Sequence, residues 1–192
     1  KRISSNNKTE KNVPDLIPQI QAWTDLCIKN STIDSELYQL HQVNRGLRDL
    51  NGNGVLTGLT EISDILSFKE IDGQKHPCEG KLYYRGIDIE DIVDGFISEK
   101  RFGFEETTYL LLFGKLPSKT ELDEFTNQIS EYRVLPANFA IDTIMKSPSF
   151  DMMTNLSRCV LTLHSFDEKA NDTGLQNVLR QCLQLIALFP VL

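Results

Sequence analysis

The sequence lacks any apolar run approaching the roughly 20 residues that span a bilayer. Its first residues, KRISSNNKTEKN, also lack the apolar core of a secretory signal. Basic clusters are scarce, because 20 Lys and Arg stand against 27 Asp and Glu, for a formal net charge of −7. A nucleic-acid backbone would be repelled overall. We therefore expect a cytoplasmic protein that binds neither membrane nor nucleic acid.

Cysteine is too sparse to predict a disulfide framework or a metal site. The four cysteines are scattered without a Cys-x-x-Cys pair, which is typical of thiols in a reducing compartment. Cys159 and Cys182 fall in apolar helical patterns and are predicted to be buried. His76 and Cys78 supply only half of a zinc site, since such a site needs four ligands. We predict no metal and no cofactor.

Signals of nucleophilic catalysis are equally rare. The three histidines are His41, His76 and His164, and no serine or cysteine stands at a recognisable motif spacing from them. Neither Gly-x-Ser-x-Gly nor a phosphate-cradling glycine loop occurs. We predict a structural or surface position for each histidine. His164 is expected near a helix C-terminus, where the helix dipole favours positive charge.

The segment DLNGNGVLTGLTE, residues 49–61, approaches a calcium loop of the EF-hand type. The bidentate acid required at the twelfth position is replaced by Thr60, and Glu61 comes one residue late. A glycine-rich turn is the favoured interpretation, with calcium binding as the alternative. The first, third, fifth and sixth positions do fit such a loop and are Asp49, Asn51, Asn53 and Gly54.

Apolar residues recur at helical spacing over most of the chain, which predicts an all-α protein. Two short helices would form an N-terminal helical arm over residues 1–50. A few short strands are expected near residues 54–85, with a polar loop over 72–80 that contains His76. Further helices are predicted at 104–114, 118–133, 137–146, 150–166 and 172–188.

Two of these helix boundaries carry specific sequence signals. Ser118 and Glu121 form a Ser-x-x-Glu capping box. Gly114 is suited to the left-handed position that ends many helices. The last helix is predicted to bury a broad apolar stripe made of Leu175, Val178, Leu179, Cys182, Leu185 and Ile186.

The stretch GKLYYRGIDIEDIV, residues 80–93, gathers charged residues around a glycine turn. Arg85 either contacts an anionic substrate or forms an internal ion pair. Helix geometry favours a corner of the fold over an active site, because Asp88 can cap a helix whose first turn attracts acids. The acids that would otherwise form an acid/base pair are Asp88, Glu90, Asp91 and Asp94.

These residues also carry a resemblance. GKLYYRGIDIEDIV, followed by FGFEETTYLLLFGKLPSKTELDEF, resembles the N-terminal half of the citrate synthase family. There a Tyr-Arg-Gly turn leads into an acidic-capped helix and an E-x-x-x-x-L-L-x-G-x-L-P helix pair. RGLRDLNGNGVLTGLTEIS is similar to the opening of one bacterial branch, and residues 146–190 resemble the next two helices. Ser147-Pro148-Ser149 replaces the His-Pro-Met of many members, which points to a subfamily.

The resemblance implies that residues 51–192 are part of a citrate synthase large domain. The enzyme would be an acyltransferase of the tricarboxylic acid cycle that condenses acetyl-CoA, a substrate and not a cofactor, with oxaloacetate. In the family an aspartate and histidines drive enol formation, and arginines hold the oxaloacetate carboxylates. Those groups belong to the C-terminal half, so no residue here is assigned a catalytic, cofactor-binding or metal role.

Three functions stay open. The first is an N-terminal segment of a bacterial, homodimeric citrate synthase, inactive by itself because the apolar ending ALFPVL is expected to mark a chain cut before the catalytic half. The second is 2-methylcitrate synthase, which uses propionyl-CoA. The third is a non-catalytic helical interaction module.

Overall fold

The structure is a computed structural model that describes residues 18–41, 43, 47, 55 and 58–192. In these residues seven α-helices dominate, and three strands form one antiparallel sheet. The prediction of an all-α fold with a few strands is confirmed. The elements are α1 (Ile20–Ser31), α2 (Ser35–Leu40), β1 (Ser63–Ile71), β2 (Gln74–Tyr84), β3 (Ile87–Asp88), α3 (Ile89–Ser98), α4 (Phe104–Phe113), α5 (Lys119–Glu131), a π-helical turn (Ala140–Met145), α6 (Met152–His164), α7 (Leu175–Leu188) and a 3₁₀ turn (Phe189–Val191).

Several predictions fall on undescribed positions. Most of the possible calcium loop over 49–61 lies outside the described residues, as does much of the arm predicted over 1–50. None of the helices in the described ranges combines the length and the hydropathy needed to cross a bilayer.

A long hairpin joins β1 to β2 through the two-residue turn Asp72-Gly73. Both residues have positive φ, 52° and 75°, which matches the twist of a tight hairpin turn. Ile71 pairs with Gln74 across the turn. The polar loop expected over 72–80 is therefore wrong, and His76 lies within β2. The strand β2 forms through backbone pairing with β1 and through the Asp-Gly turn. Its exposed residues show no alternating burial.

The chain divides into two compact units, of which one comprises residues 25–125. Its core contains an aromatic cluster in edge-to-face packing. The ring centroids of Tyr109 and Phe113 are 4.6 Å apart, and that of Phe125 lies 5.4 Å from Tyr109 and 5.8 Å from Phe113. Such pairs are the favoured geometry of aromatic rings. All three side chains are buried, so α4 and the middle of α5 are held together by apolar contact.

The other unit comprises residues 18–24 and 126–192 of the described chain. Tyr132, Phe139 and Leu183 are among its buried side chains, and the rings of Phe139 and Phe166 lie 6.0 Å apart. Cys159 is 2% exposed, which confirms its predicted burial.

The buried face of α7 differs from the predicted apolar stripe. Cys182 is exposed, and Leu175 and Val178 are 47% and 36% exposed, so the predicted burial of all three is wrong. The helix is rotated relative to that expectation because two polar side chains find hydrogen-bond partners in the preceding loop and enter the buried face. The buried residues of α7 are Asn177, Leu179, Arg180, Leu183, Ala187 and Leu188.

The predicted capping signals are confirmed. The Asp88 carboxylate accepts from the Glu90 backbone N–H at 3.0 Å and caps α3. Gly114 follows α4 with φ of 75°. Ser118 N–H donates to Glu121 Oε2 at 2.8 Å, and Glu121 N–H donates to Ser118 Oγ at 3.3 Å, which completes the capping box.

Candidate functional site

The Tyr-Arg-Gly stretch forms a second two-residue turn, between β2 and β3. Tyr84 pairs with Ile87 across it, and the two central residues, Arg85 and Gly86, have φ of 50° and 82°. Glycine adopts this conformation without steric cost, whereas arginine is held there against its preference. The turn thereby fixes the direction in which the Arg85 side chain leaves the sheet.

Arg85 binds the C-terminal ends of two helices. Its Nε and Nη2 both donate to the carbonyl oxygen of Leu111 in α4, at 3.2 and 2.9 Å. Its Nη1 donates to Asn30 O at 3.0 Å, and its Nη2 also donates to Ser31 Oγ at 3.2 Å, at the end of α1. A cation stabilises the negative end of a helix dipole. These contacts agree with the interpretation of the stretch as a corner of the fold. The partners of Arg85 are neutral oxygens, however, and not the acids of the expected ion pair.

The end of α4 is fully satisfied by these contacts. The last four carbonyls of a helix have no partner within it and must find donors elsewhere. Here the Gly114 N–H donates to one of these carbonyls, and three side chains from earlier in the chain donate to the others. The pairs are Gly114 N to Leu110 O at 2.8 Å, Arg85 to Leu111 O, Cys27 Sγ to Leu112 O at 3.3 Å, and Asn30 Nδ2 to Phe113 O at 2.6 Å.

The acids beside this turn are tied up in structural contacts. Lys81 Nζ lies 3.2 Å from Asp88 Oδ2 and 2.7 Å from Glu90 Oε2. The Glu90 amide, and then Lys81, hold the pKa of the Asp88 carboxyl below its usual value. These two acids therefore cap and brace α3, and they are not arranged as a general acid with a neighbouring base.

The predicted histidine and metal candidates do not form a site in the described residues. His41 follows α2, His76 pairs with Lys69 across the hairpin, and His164 ends α6 as predicted, all with exposed side chains. Within the described ranges no group of three or more histidine, cysteine or acidic side chains is placed to hold a metal ion. Cys78 lies in β2, and none of the four cysteines is in a disulfide.

A buried ion pair that the sequence reasoning missed fastens the loop before α7. Arg180 Nη2 donates to Asp167 Oδ2 at 2.6 Å, with the two side chains 3% and 12% exposed. Arg180 Nε and Nη2 also donate to Asn177 Oδ1. Burial pushes the pKa of Asp167 upward, yet the bonds from Arg180, Gln181 and the Lys169 amide lower it overall. The sequence feature that could have indicated this ion pair is a cation, Arg180, inside the apolar pattern of α7.

Loop carbonyls are held by the same helix face. Asn177 Nδ2 donates to Lys169 O and to Asp172 O, both at 2.8 Å, and Gln181 Nε2 donates to Ala170 O at 3.2 Å. The loop between α6 and α7 is thus pinned by side chains one turn apart on α7. The charged groups gathered at these two places, around Arg85 and around Arg180, make fixed structural bonds within a mainly helical scaffold.

Comparison with known proteins identifies that scaffold. The family model "Citrate synthase, C-terminal domain" matches residues 49–192, and the chain belongs to the citrate synthase family. A citrate synthase of Saccharolobus solfataricus is 42% identical over 88 residues, which cover 45% of this chain and 20% of that protein. A 2-methylcitrate synthase 1 of Corynebacterium glutamicum is 35% identical over 96 residues, covering 50% and 20%.

A solved structure supports the same assignment. The citrate synthase of Pyrobaculum aerophilum matches with a TM-score of 0.54 and 26% identity, over 75% of this chain and 36% of that chain. The chain thus spans about a fifth of the two curated relatives and about a third of the solved one.

Proposed function

We propose that this chain is an N-terminal segment of a citrate synthase, which condenses acetyl-CoA with oxaloacetate to give citrate and CoA. The observation that carries the proposal is the family match over residues 49–192. The matching model is described as a C-terminal domain and does not support the N-terminal placement, which rests on the order of the sequence motifs. The bacterial origin likewise stays a prediction.

The role proposed for this segment is mechanical. Arg85 and Arg180 donate their hydrogen bonds to helix ends and loops, and the acids near Lys81 stabilise the start of α3. We assign none of these groups to enol formation or to oxaloacetate binding. The groups that perform those steps are proposed to lie in a part of the enzyme that this sequence does not include.

The experiment is a turnover assay on two polypeptides. One is the intact protein that carries this sequence, and the other is the 192-residue chain. CoA release from acetyl-CoA and oxaloacetate is followed with a thiol reagent. We expect turnover by the intact protein and none by the 192-residue chain. Turnover by the shorter chain would contradict the mechanical role, and no turnover by a folded intact protein would favour the helical interaction module.

A second candidate is 2-methylcitrate synthase, which the similarity to the Corynebacterium glutamicum enzyme favours. The same assay with propionyl-CoA in place of acetyl-CoA separates the two. A higher kcat/KM on propionyl-CoA would identify the second function, and a higher kcat/KM on acetyl-CoA the first.

The proposed assembly is a homodimer, and α6 offers a surface for it. Met153, Ser157 and Leu161 follow one another at helical spacing, and Met153 and Leu161 are 68% and 75% exposed. Phe150 and Met152, just before and at the start of α6, are also exposed. Monomeric proteins seldom leave several large apolar side chains so close together in water. The cytoplasm remains the proposed location, because four cysteines outside any disulfide suit a reducing compartment.

A further inference from the structure

A cavity of about 210 Å³ lies inside the unit that contains α6 and α7. It is bounded by the end of α6, the second half of α7, the loop between them and the segment around Pro136. Pro136 and Leu188, which line it, are buried. Its lining is mainly apolar and includes Pro136, Val160, Leu163, Phe166, Leu185 and Leu188.

The loop wall of this cavity is preformed. Phe166, Asp167 and Ala170 line it, and the hydrogen bonds from Arg180 and Asn177 hold that loop in place. A molecule that enters does not need to order the loop, so the entropic cost of binding is small. A cavity that is largely apolar, preformed and supplied with a few polar groups has the character of a small-molecule site, and its volume, below the range of about 300–1,000 Å³ for drug-sized ligands, limits it to a small ligand.

The polar groups at the rim limit what can bind. Both Asp167 oxygens are engaged, Oδ2 by Arg180 and Gln181 and Oδ1 by the Lys169 amide at 2.9 Å. Gln184 takes part in the described hydrogen bonds through Oε1, which accepts from Arg180 Nη1 at 3.2 Å. Its amide nitrogen is then a donor that this side chain offers to a molecule in the cavity, and the exposed imidazole of His164 also lines it. A ligand cation would find Asp167 already paired, and a ligand carboxylate would be desolvated beside it.

We propose that this cavity binds a compact, uncharged, mainly apolar molecule that carries one hydrogen-bond acceptor, such as an aryl ketone. An apolar cavity of about 150 Å³ accommodates benzene. The larger volume here suits one aromatic ring with a short substituent. The acceptor of that substituent bonds the Gln184 amide, and the ring contacts Leu163, Phe166 and Leu185.

The test compares two probes of equal shape on the intact polypeptide. Acetophenone carries the acceptor, and α-methylstyrene replaces its oxygen with a methylene group. Binding is followed by methyl chemical shifts of Val160, Leu163 and Leu185. We expect both probes to shift these methyls, with acetophenone binding roughly fivefold more tightly, the factor that one net hydrogen bond supplies.

Three variants assign the binding to the cavity. Gln184→Met keeps the side-chain length and removes the donor, so the preference for acetophenone should disappear while α-methylstyrene binds as before. Ala170→Leu fills the cavity and should abolish binding of both probes. Ala137→Leu makes the same change at an exposed position outside the lining and should leave both affinities unchanged.

Several results would overturn the proposal. One is the absence of any methyl shift at the solubility limit of acetophenone, which would show that the cavity does not bind such a molecule. Another is an equal affinity for the two probes in the unmodified protein. If Ala170→Leu fails to fold, the shifts of Leu163 and Leu185 in the unmodified protein decide the location, and shifts confined to other methyls count against it.

Discussion

Arg85 and Leu111 meet at the C-terminal end of α4, where two guanidinium nitrogens donate to one backbone carbonyl, at 3.2 and 2.9 Å. The same side chain reaches Asn30 O at the end of α1. One residue from a tight turn between strands thus joins the ends of two helices that lie far from it in sequence.

Replacing this arginine should destabilise the protein. Arg85→Met keeps much of the apolar stem but leaves the carbonyls of Asn30 and Leu111 without their charged donor. We expect the free energy of unfolding to fall by about 1.5–3 kcal/mol, the range for losing hydrogen bonds to a charged group. The measurement is urea unfolding of the intact polypeptide.

The control separates these contacts from backbone strain. Arg85 and Lys100 both have positive φ, 50° and 54°, and Lys100 is exposed. Lys100→Gly removes the strain while raising the entropy of the unfolded chain, so it should raise stability by at most about 1 kcal/mol. Arg85→Gly removes strain and contacts together and should still destabilise. An Arg85→Gly protein as stable as the unmodified one would mean that the carbonyl contacts contribute little.

Two glycines near α3 should respond in opposite ways to alanine. A Cβ on Gly103 would lie 2.2 Å from the Phe96 ring, so Gly103→Ala forces the ring to move and should cost about 1–3 kcal/mol. Gly95, inside α3, has no atom within 4 Å of such a Cβ, and Gly95→Ala should stabilise by about 0.5–1 kcal/mol. Thermal unfolding of both variants gives the comparison. A loss of stability in both would show that α3 is more tightly packed than its structure indicates.

Stability at low pH should depend on Asp167. Its folded pKa is below the ordinary value of 3.8, so its contribution is present above that value and is lost as the pH falls through the lower folded pKa. Asp167→Asn leaves the Arg180 cation buried without its partner, and we expect a loss of about 3–5 kcal/mol at neutral pH. The difference between the two proteins should narrow below about pH 4, measured by urea unfolding at a series of pH values.

The exposed pair Asp142–Lys146 supplies the matched control. Its side chains are 56% and 65% exposed, and Asp142→Asn should change stability by less than about 1 kcal/mol at every pH tested. A gap between Asp167→Asn and the unmodified protein that stays constant down to pH 2 would contradict the assigned role of this carboxylate.

The proposed homodimer is tested by a charge on α6. Leu161→Arg places a cation in the exposed apolar face and should convert a dimer of the intact polypeptide to a monomer in light scattering. Phe102→Arg makes a similar change at another strongly exposed position, 93% exposed, and should leave the mass unchanged. If both variants remain dimers, the α6 face is not the contact. If both dissociate, the contact is not specific to α6.

The sequence predicted helix boundaries correctly where the signal lies within a few residues of the boundary. Asp88, Gly114, Ser118 and Glu121 act through neighbours within a few residues, and the structure shows them in the predicted roles. The carboxylate of Asp151 caps α6 in the same way but was not singled out, and α6 accordingly begins slightly later than expected, at Met152.

Features that depend on partners distant in sequence could not be predicted from the sequence. The buried face of α7 follows from Arg180 and Asn177 meeting a loop about ten residues earlier, which apolar periodicity does not encode. The neutral partners of Arg85 lie 26 and 55 residues away. The first part of β2, residues 74–80, was predicted to be a loop because it is mostly polar and exposed, and its pairing with β1 leaves no alternating pattern there. Residues 81–84 lie in the region where strands were predicted.

The donors that close the end of α4 have a consequence for synthesis of the protein. Cys27, Asn30 and Arg85 all precede the carbonyls that they bind, so each donor has left the ribosome before its acceptor emerges. Domains generally fold from the N-terminus as the chain is made. This corner can therefore close on the nascent chain once Gly114 is free of the exit tunnel, and translation need not proceed further for its backbone to be shielded from water.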